Sequence, residues 1–165
     1  MRILGIDPAL NNTGWAILDV VNLENRIIAI GHISNKQTDG YYDKVANIFN
    51  NTNHIIEEYK PQIMAIEETF VNNNAVSSLK LGVVRGIFFS CAVKNELKIY
   101  EFKPNEIKKA ITGNGKADKV QVEYMVKMLL PKANPKTSDE SDAVAIALTC
   151  AFEKKFDDNY RFVLC

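Results

Sequence analysis

Two short apolar runs in this chain each end in a carboxylate: Arg2–Asp7 (RILGID) and Gln62–Glu67 (QIMAIE). Each is short, apolar and bounded by turn formers, the pattern of a buried strand. An acid that closes such a strand sits where it is expensive to keep charged, unless something binds it. Strand ends are also where open sheets place their chemistry. Any fold for this chain must therefore bury two strands and give their terminal acids a partner.

The remaining periodicities supply the other elements. Pro8 through Gly14 (PALNNTG) is dense in turn formers. Trp15–Val20 and Arg26–Ile33 are β-type runs joined by Asn22-Leu23-Glu24-Asn25, a hairpin signal. Three sequential antiparallel strands follow. Val45, Ile48, Phe49, Ile55, Ile56 and Tyr59 lie on one helical face, which Pro61 ends. Asn72-Asn73-Asn74 is a loop or cap before a long apolar helix over 75–95. Lys98–Phe102 is a fifth strand, and Pro104 opens a helix to about Ile111. A glycine turn (112–117) separates it from helices over 118–130 and 138–155. This order predicts an α/β fold, a mixed five-stranded sheet flanked by α-helices. A single domain over 1–155 with a C-terminal tail, 156–165, is expected, because 165 residues suit one core.

Composition excludes several classes. No uninterrupted run of 18 apolar residues is present, so no membrane span is expected. Cys91, Cys150 and Cys165 are an odd count without metal-type spacing, which reads as a reduced, cytoplasmic protein. Net charge is zero but segregated. Residues 76–136 hold 12 Lys/Arg against 5 Asp/Glu, and the remainder 8 against 15. A basic flank beside an acidic centre suits a polyanion handled through metal ions, although a solvated surface would give the same counts.

Asp139 and Asp142 stand three apart at the start of the last helix, so both project from its first turn. Taken singly, each acid has a structural role open to it: a turn at Asp7-Pro8, a solvated Glu67, a dipole partner behind a Ser138 cap. If Asp7, Glu67, Asp139 and Asp142 meet, their repulsion demands cations. Oxygen donors without nearby His or Cys point to Mg²⁺ or Mn²⁺. Two such ions would activate water and stabilise a leaving oxygen in phosphodiester hydrolysis. His32 and His54 are isolated in the sequence and receive no role, while Trp15, Phe88 and Phe89 are read as core.

The segments GIDPALNNTGWAI (5–17), AIEETF (65–70), NAVSSLKLGVVRG (74–86), the lysine-rich 108–119 and SDESDAVAIA (138–147) together resemble the RuvC family of bacterial Holliday-junction resolvases. The resemblance is collinear from residue 2 to about 152. It implies a ribonuclease-H-like fold, a homodimer and magnesium-dependent nicking of two strands of four-way junction DNA in recombination and repair. It places the family's four metal-binding catalytic acids on Asp7, Glu67, Asp139 and Asp142, with two Mg²⁺ ions per subunit or Mn²⁺ in their place. The branch-migration proteins RuvA and RuvB are implied as partners. One departure is Ala9, where the family commonly has Gly after Asp-Pro, so the turn after the first strand is expected to differ.

Lys108, Lys109, Lys116 and Lys119 cluster around the glycine turn and would add salt-dependent affinity for phosphates. Lys108 and Lys119 match lysines that the family uses near its active site. Phe70, by itself a plausible core residue, matches a family aromatic that stacks on a junction base. Ser78, Gly82, Gly86 and Ser90 form a small-residue stripe. Packing against the chain's own sheet would explain it, and the resemblance favours a dimer interface. A ribonuclease H and a non-catalytic junction-binding module remain open as other classes. A sugar-kinase-like ATPase is excluded, because its nucleotide lies between two domains that 165 residues cannot supply.

Overall fold

The computed structural model describes residues 1–22, 24–68 and 75–153. Five strands, β1 (Arg2–Asp7), β2 (Asn12–Val21), β3 (Glu24–Ser34), β4 (Ile63–Glu67) and β5 (Lys98–Phe102), form one sheet in the order β3-β2-β1-β4-β5. β1, β2 and β3 pair antiparallel, while β4 joins β1 and β5 joins β4 in parallel. The helices are α1 (Tyr41–Tyr59), α2 (Ala75–Lys94), α3 (Pro104–Thr112), α4 (Lys119–Leu129) and α5 (Ser138–Phe152). The predicted mixed five-stranded sheet with flanking helices is the observed one.

Alternation along the strands divides the core into two layers. Ile3, Ala16, Leu18, Ile63 and Ala65 face α3, α4 and α5. Leu4, Ile6, Ile17, Met64 and Ile66 face α1 and α2. α5 is buried without a break from Ala143 to Cys150, so it is a central helix rather than an amphipathic surface one. Its approach to the sheet is close. A Cβ on Gly5 would lie 2.4 Å from the carbonyl oxygen of Ala143, and one on Gly14 would lie 1.9 Å from that of Asp139. Only glycine at both positions lets the helix backbone rest on β1 and β2.

The boundaries differ from expectation in ways that matter near the strand ends. β2 begins at Asn12, not Trp15, because the turn before it is tight: Thr13 Oγ1 donates to the Ala9 carbonyl at 2.6 Å. Ala9 needs no left-handed backbone, since the described non-glycine residues with positive φ are Asn22, Lys60 and Glu96. The expected glycine is thus dispensable there. α5 is capped by Thr137, whose hydroxyl accepts from the Glu140 amide, rather than by Ser138, and it ends at Phe152. The tail 156–165 and Asn72-Asn73-Asn74 lie outside the described residues.

Among the described helices α2 alone is long and apolar enough to cross a membrane by length and composition, a property that no unbroken apolar run announces because Lys80 and Arg85 interrupt it. Its position accounts for the hydropathy. Val84, Phe88, Cys91 and Ala92 are buried against the sheet, and Arg85 makes a two-pronged ion pair with Glu101 of β5 at 2.8 and 2.6 Å. Trp15 and Phe89 are partly buried against the same core.

Gly5→Ala forces a methyl group into the α5 backbone, and overpacking of this kind costs about 1–3 kcal/mol or more. Denaturant unfolding should show a lower midpoint with an unchanged slope.

Candidate active site

β1 and β4 are parallel neighbours with Ile6 paired to Ile66, so the next residues on each strand are Asp7 and Glu67. Alternation turns both acids to the face shared by Ile3, Gly5, Ile63 and Ala65, the face covered by α5. α5 starts over this point. Its first turn carries Asp139, and Asp142 follows one turn on. The contact of the Asp139 backbone with Gly14, which pairs with Asp7, sets the helix end above the first strand.

Electrostatics report the convergence. The Asp7 carboxyl is pushed up to about 7, first by burial and then by the charges of Asp142, Glu67 and Asp139, with Lys119 opposing. Glu67 is also raised, by burial and by Asp142, while Lys108 and Lys119 pull it back. The structure therefore brings all four predicted acids into one field, with two of the four predicted lysines beside them. Lys119 Nζ donates to Asp142 Oδ2 at 2.8 Å, and this bond holds the ammonium above its ordinary value. Glu67, Asp142, Lys108 and Lys119 line a cavity of about 210 Å³ together with the apolar Ile107, Val122 and Ile146.

The cluster is not a closed coordination sphere. Among the described residues, no three His, Cys, Asp or Glu side chains stand close enough together to hold an ion as placed. Asp142 is engaged by Lys119 instead. The donor set nonetheless fits a hard divalent cation: four carboxylates and no sulfur, with Asp7 raised by burial and by the other three acids near it. Such a cation would relieve the repulsion that raises Asp7.

Other predicted residues lie elsewhere. Lys109 and Lys116 are on α3 and on the turn after it, and neither lines the cavity. Phe70 lies outside the described residues. His32, read as isolated, is not: its Nδ1 lies 2.8 Å from Oε1 of the buried Glu140. The partners are 108 residues apart on β3 and α5, a separation that no local pattern exposes. His54 lies 3.7 Å from its helix neighbour Glu58.

The sheet order, with acids at the ends of β1 and β4 beneath α5, is that of a ribonuclease-H-like architecture. A family profile, "Crossover junction endodeoxyribonuclease RuvC", matches residues 3–150. The protein of that name from Rickettsia bellii (strain RML369-C) is 46% identical over 157 residues, covering 94% of this chain and all of the relative. The Rickettsia felis protein is 46% identical over 151 residues, 91% of this chain and 97% of its own. Among solved structures, T. thermophilus RuvC in complex with Holliday junction substrate superposes with a TM-score of 0.85 at 28% identity, covering 92% of this chain and 93% of the other. The chain belongs to the RuvC family of crossover junction endodeoxyribonucleases.

Asp7 gives a signed pH prediction for the cation-free protein. Its carboxyl titrates near 7 when folded but at 3.8 in the reference state, so between these values the native chain binds more protons than the unfolded one. Asp7 therefore lowers stability progressively as pH rises from about 4 to about 7. In chelator, Asp7→Asn should stabilise the fold at pH 8 by up to about 4 kcal/mol, and by almost nothing at pH 3.5. Urea unfolding of both proteins across this range measures the difference.

Proposed function

We propose that this chain resolves Holliday junctions, hydrolysing a phosphodiester bond in each of two strands of a four-way DNA junction. Asp7, Glu67, Asp139 and Asp142 would hold two Mg²⁺ ions per subunit. The observation that carries this reading is the Asp7 carboxyl, buried at a strand end and raised to about 7 by that burial and by three other acids. A protein gains nothing in stability from such an arrangement, which favours a site kept for a cation. Bound ions would supply an activated water and stabilise the departing oxygen.

The chain's own groups supply the remainder. The acids fix where a cation sits, and the rigid strands beneath them hold that position. Lys108 and Lys119, beside Glu67 and Asp142, are placed to offset charge on a phosphate entering the cavity. Ile107, Val122 and Ile146 add an apolar lining to the same cavity. Lys109 and Lys116 would bind the backbone of a junction arm further out, without sequence preference. Residues 1–155 would form the nuclease domain.

The surface of α2 supports a homodimer. Among the described residues, a Cβ added to Gly82 or Gly86 would meet nothing within 4 Å, so these two members of the small-residue stripe do not pack on the described sheet. Val76, Leu79, Val83 and Val93 stand exposed on the same helix. A two-fold contact there would pair two identical sites across a pseudo-symmetric junction.

Cleavage of a synthetic mobile four-way junction with Mg²⁺, beside linear duplex and RNA–DNA hybrid, tests the reading. Paired symmetric nicks in the junction are expected, and Asp7→Asn should lower the rate by about 10²–10³-fold or more. Cutting of the hybrid alone would replace the reading with a ribonuclease H. Binding without cutting in either Mg²⁺ or Mn²⁺ would leave a junction-binding module. Leu79→Glu should sediment as a monomer and lose paired nicking. Lys109→Gln and Lys116→Gln should each weaken junction binding and reduce its salt slope by about 1.

A further inference from the structure

Between Asp139 and Asp142 lies Glu140, only 4% exposed although it is a carboxylate. Its burial is compensated on several sides. Oε1 accepts from the His32 ring at 2.8 Å, and Oε2 accepts the Lys136 backbone amide at 2.5 Å. The Glu140 amide in turn donates to Thr137 Oγ1 at 3.2 Å. A buried carboxylate satisfied by donors from two segments is a fixed point, since losing either donor leaves charge unpaired.

The sheet register gives this fixed point a direction. Asp7 on β1 pairs with Gly14 on β2, and Gly14 pairs with His32 on β3, so the three residues form one row across the sheet. The first turn of α5 lies over this row, with the Asp139 backbone on Gly14 and the Glu140 side chain on His32. An α-helix advances about 100° per residue, which sets Glu140 about 100° from Asp139 and about 160° from Asp142. Anchoring Glu140 toward β3 therefore turns Asp142 the other way, toward β4 and Glu67. The contacts of Ala143 and Ala147 with Gly5 seat the helix on the sheet further along, and the Glu140–His32 bond adds a directional tie at its first turn.

We propose that Glu140 and His32 are positioning residues of the nuclease, a clamp that fixes the rotation of α5 and so aims Asp139 and Asp142 at Asp7 and Glu67. The clamp touches neither substrate nor cation. It rests on the reading of the four acids as the cation site. Partners that orient metal ligands typically change metal affinity or activity about 10–100-fold when removed.

Four proteins decide it: wild type, Glu140→Ala, His32→Ala and His32→Asn. Asparagine can present an amide N–H near the position of the His32 Nδ1, so it restores the donor while removing the ring. Mn²⁺ titrated calorimetrically into the DNA-free proteins should bind about 10-fold more weakly to His32→Ala and Glu140→Ala. His32→Asn should return to within about threefold of wild type. On a four-way junction, kcat should fall in the same order while KM stays within about threefold. His32 is surface-accessible, so its variants keep the test open if Glu140→Ala does not fold. Equal losses in His32→Ala and His32→Asn, or unchanged Mn²⁺ affinity in His32→Ala at wild-type kcat, would overturn the clamp. A rise in KM matching the fall in kcat would also overturn it. Failure of the wild type to cut a junction would strike the resolvase reading, while the Mn²⁺ titrations still decide the clamp.

Discussion

The contact on which this molecule depends is the bare backbone approach of α5 to β1 and β2. At Gly5 and Gly14 no side chain separates helix from sheet, and the helix backbone occupies the space that a Cβ would need. This closeness has two consequences. It lets a helix buried from Ala143 to Cys150 fill the centre of one core layer with small and branched residues. It also brings the helix's first turn down onto the row of strand ends, where its acids meet those of β1 and β4. A larger residue at either glycine would lift the helix and weaken both the core and the acidic cluster.

The fold thus assembles a charge arrangement that opposes it. Burial already disfavours an ionised Asp7, and three further carboxylates add to the cost. The basic segment supplies partial relief. Lys108 from α3 and Lys119 from α4 both act on Glu67, and Lys119 also bonds directly to Asp142. The segregation of charge along the sequence is therefore realised in space as lysines lining the wall beside the acids. Asp142 has an ammonium partner while Asp7 has carboxylate neighbours, so repulsion is concentrated on the acid at the strand end.

Much of this was legible from local pattern. The strands 2–7 and 98–102 have the expected boundaries, because short apolar runs between turn formers leave little freedom. The four acids fall within one electrostatic field, since strand ends and a helix start are positions that periodicity locates, although among the described residues no three stand close enough to hold an ion as placed. What escaped depends on tertiary contacts between distant residues. Thr13 and Gly14 read as turn formers, yet Thr13 closes the preceding turn and Gly14 pairs within the sheet beneath α5. His32 looked unattached because its partner Glu140 is carried by the last helix. The α5 cap falls on Thr137 rather than Ser138, one residue earlier, because the Thr137 hydroxyl reaches the Glu140 amide.

The same distinction explains α2, whose composition alone suits a bilayer, a core or an interface. Its buried side is settled by Val84, Phe88, Cys91 and Ala92, and its tie to the sheet edge by Arg85 with Glu101. The remaining surface combines exposed Val76, Leu79 and Val83 with the uncovered Gly82 and Gly86. Glycine costs roughly 1 kcal/mol in a helix interior relative to alanine, and among the described residues no intramolecular contact returns that cost. A close backbone approach by a second copy would return it, as the approach of α5 does for Gly5 and Gly14 within the chain. With such a dimer, both ends of the proposed activity would rest on one device, small residues that let a helix come near: once to gather the acids, and once to pair two sites.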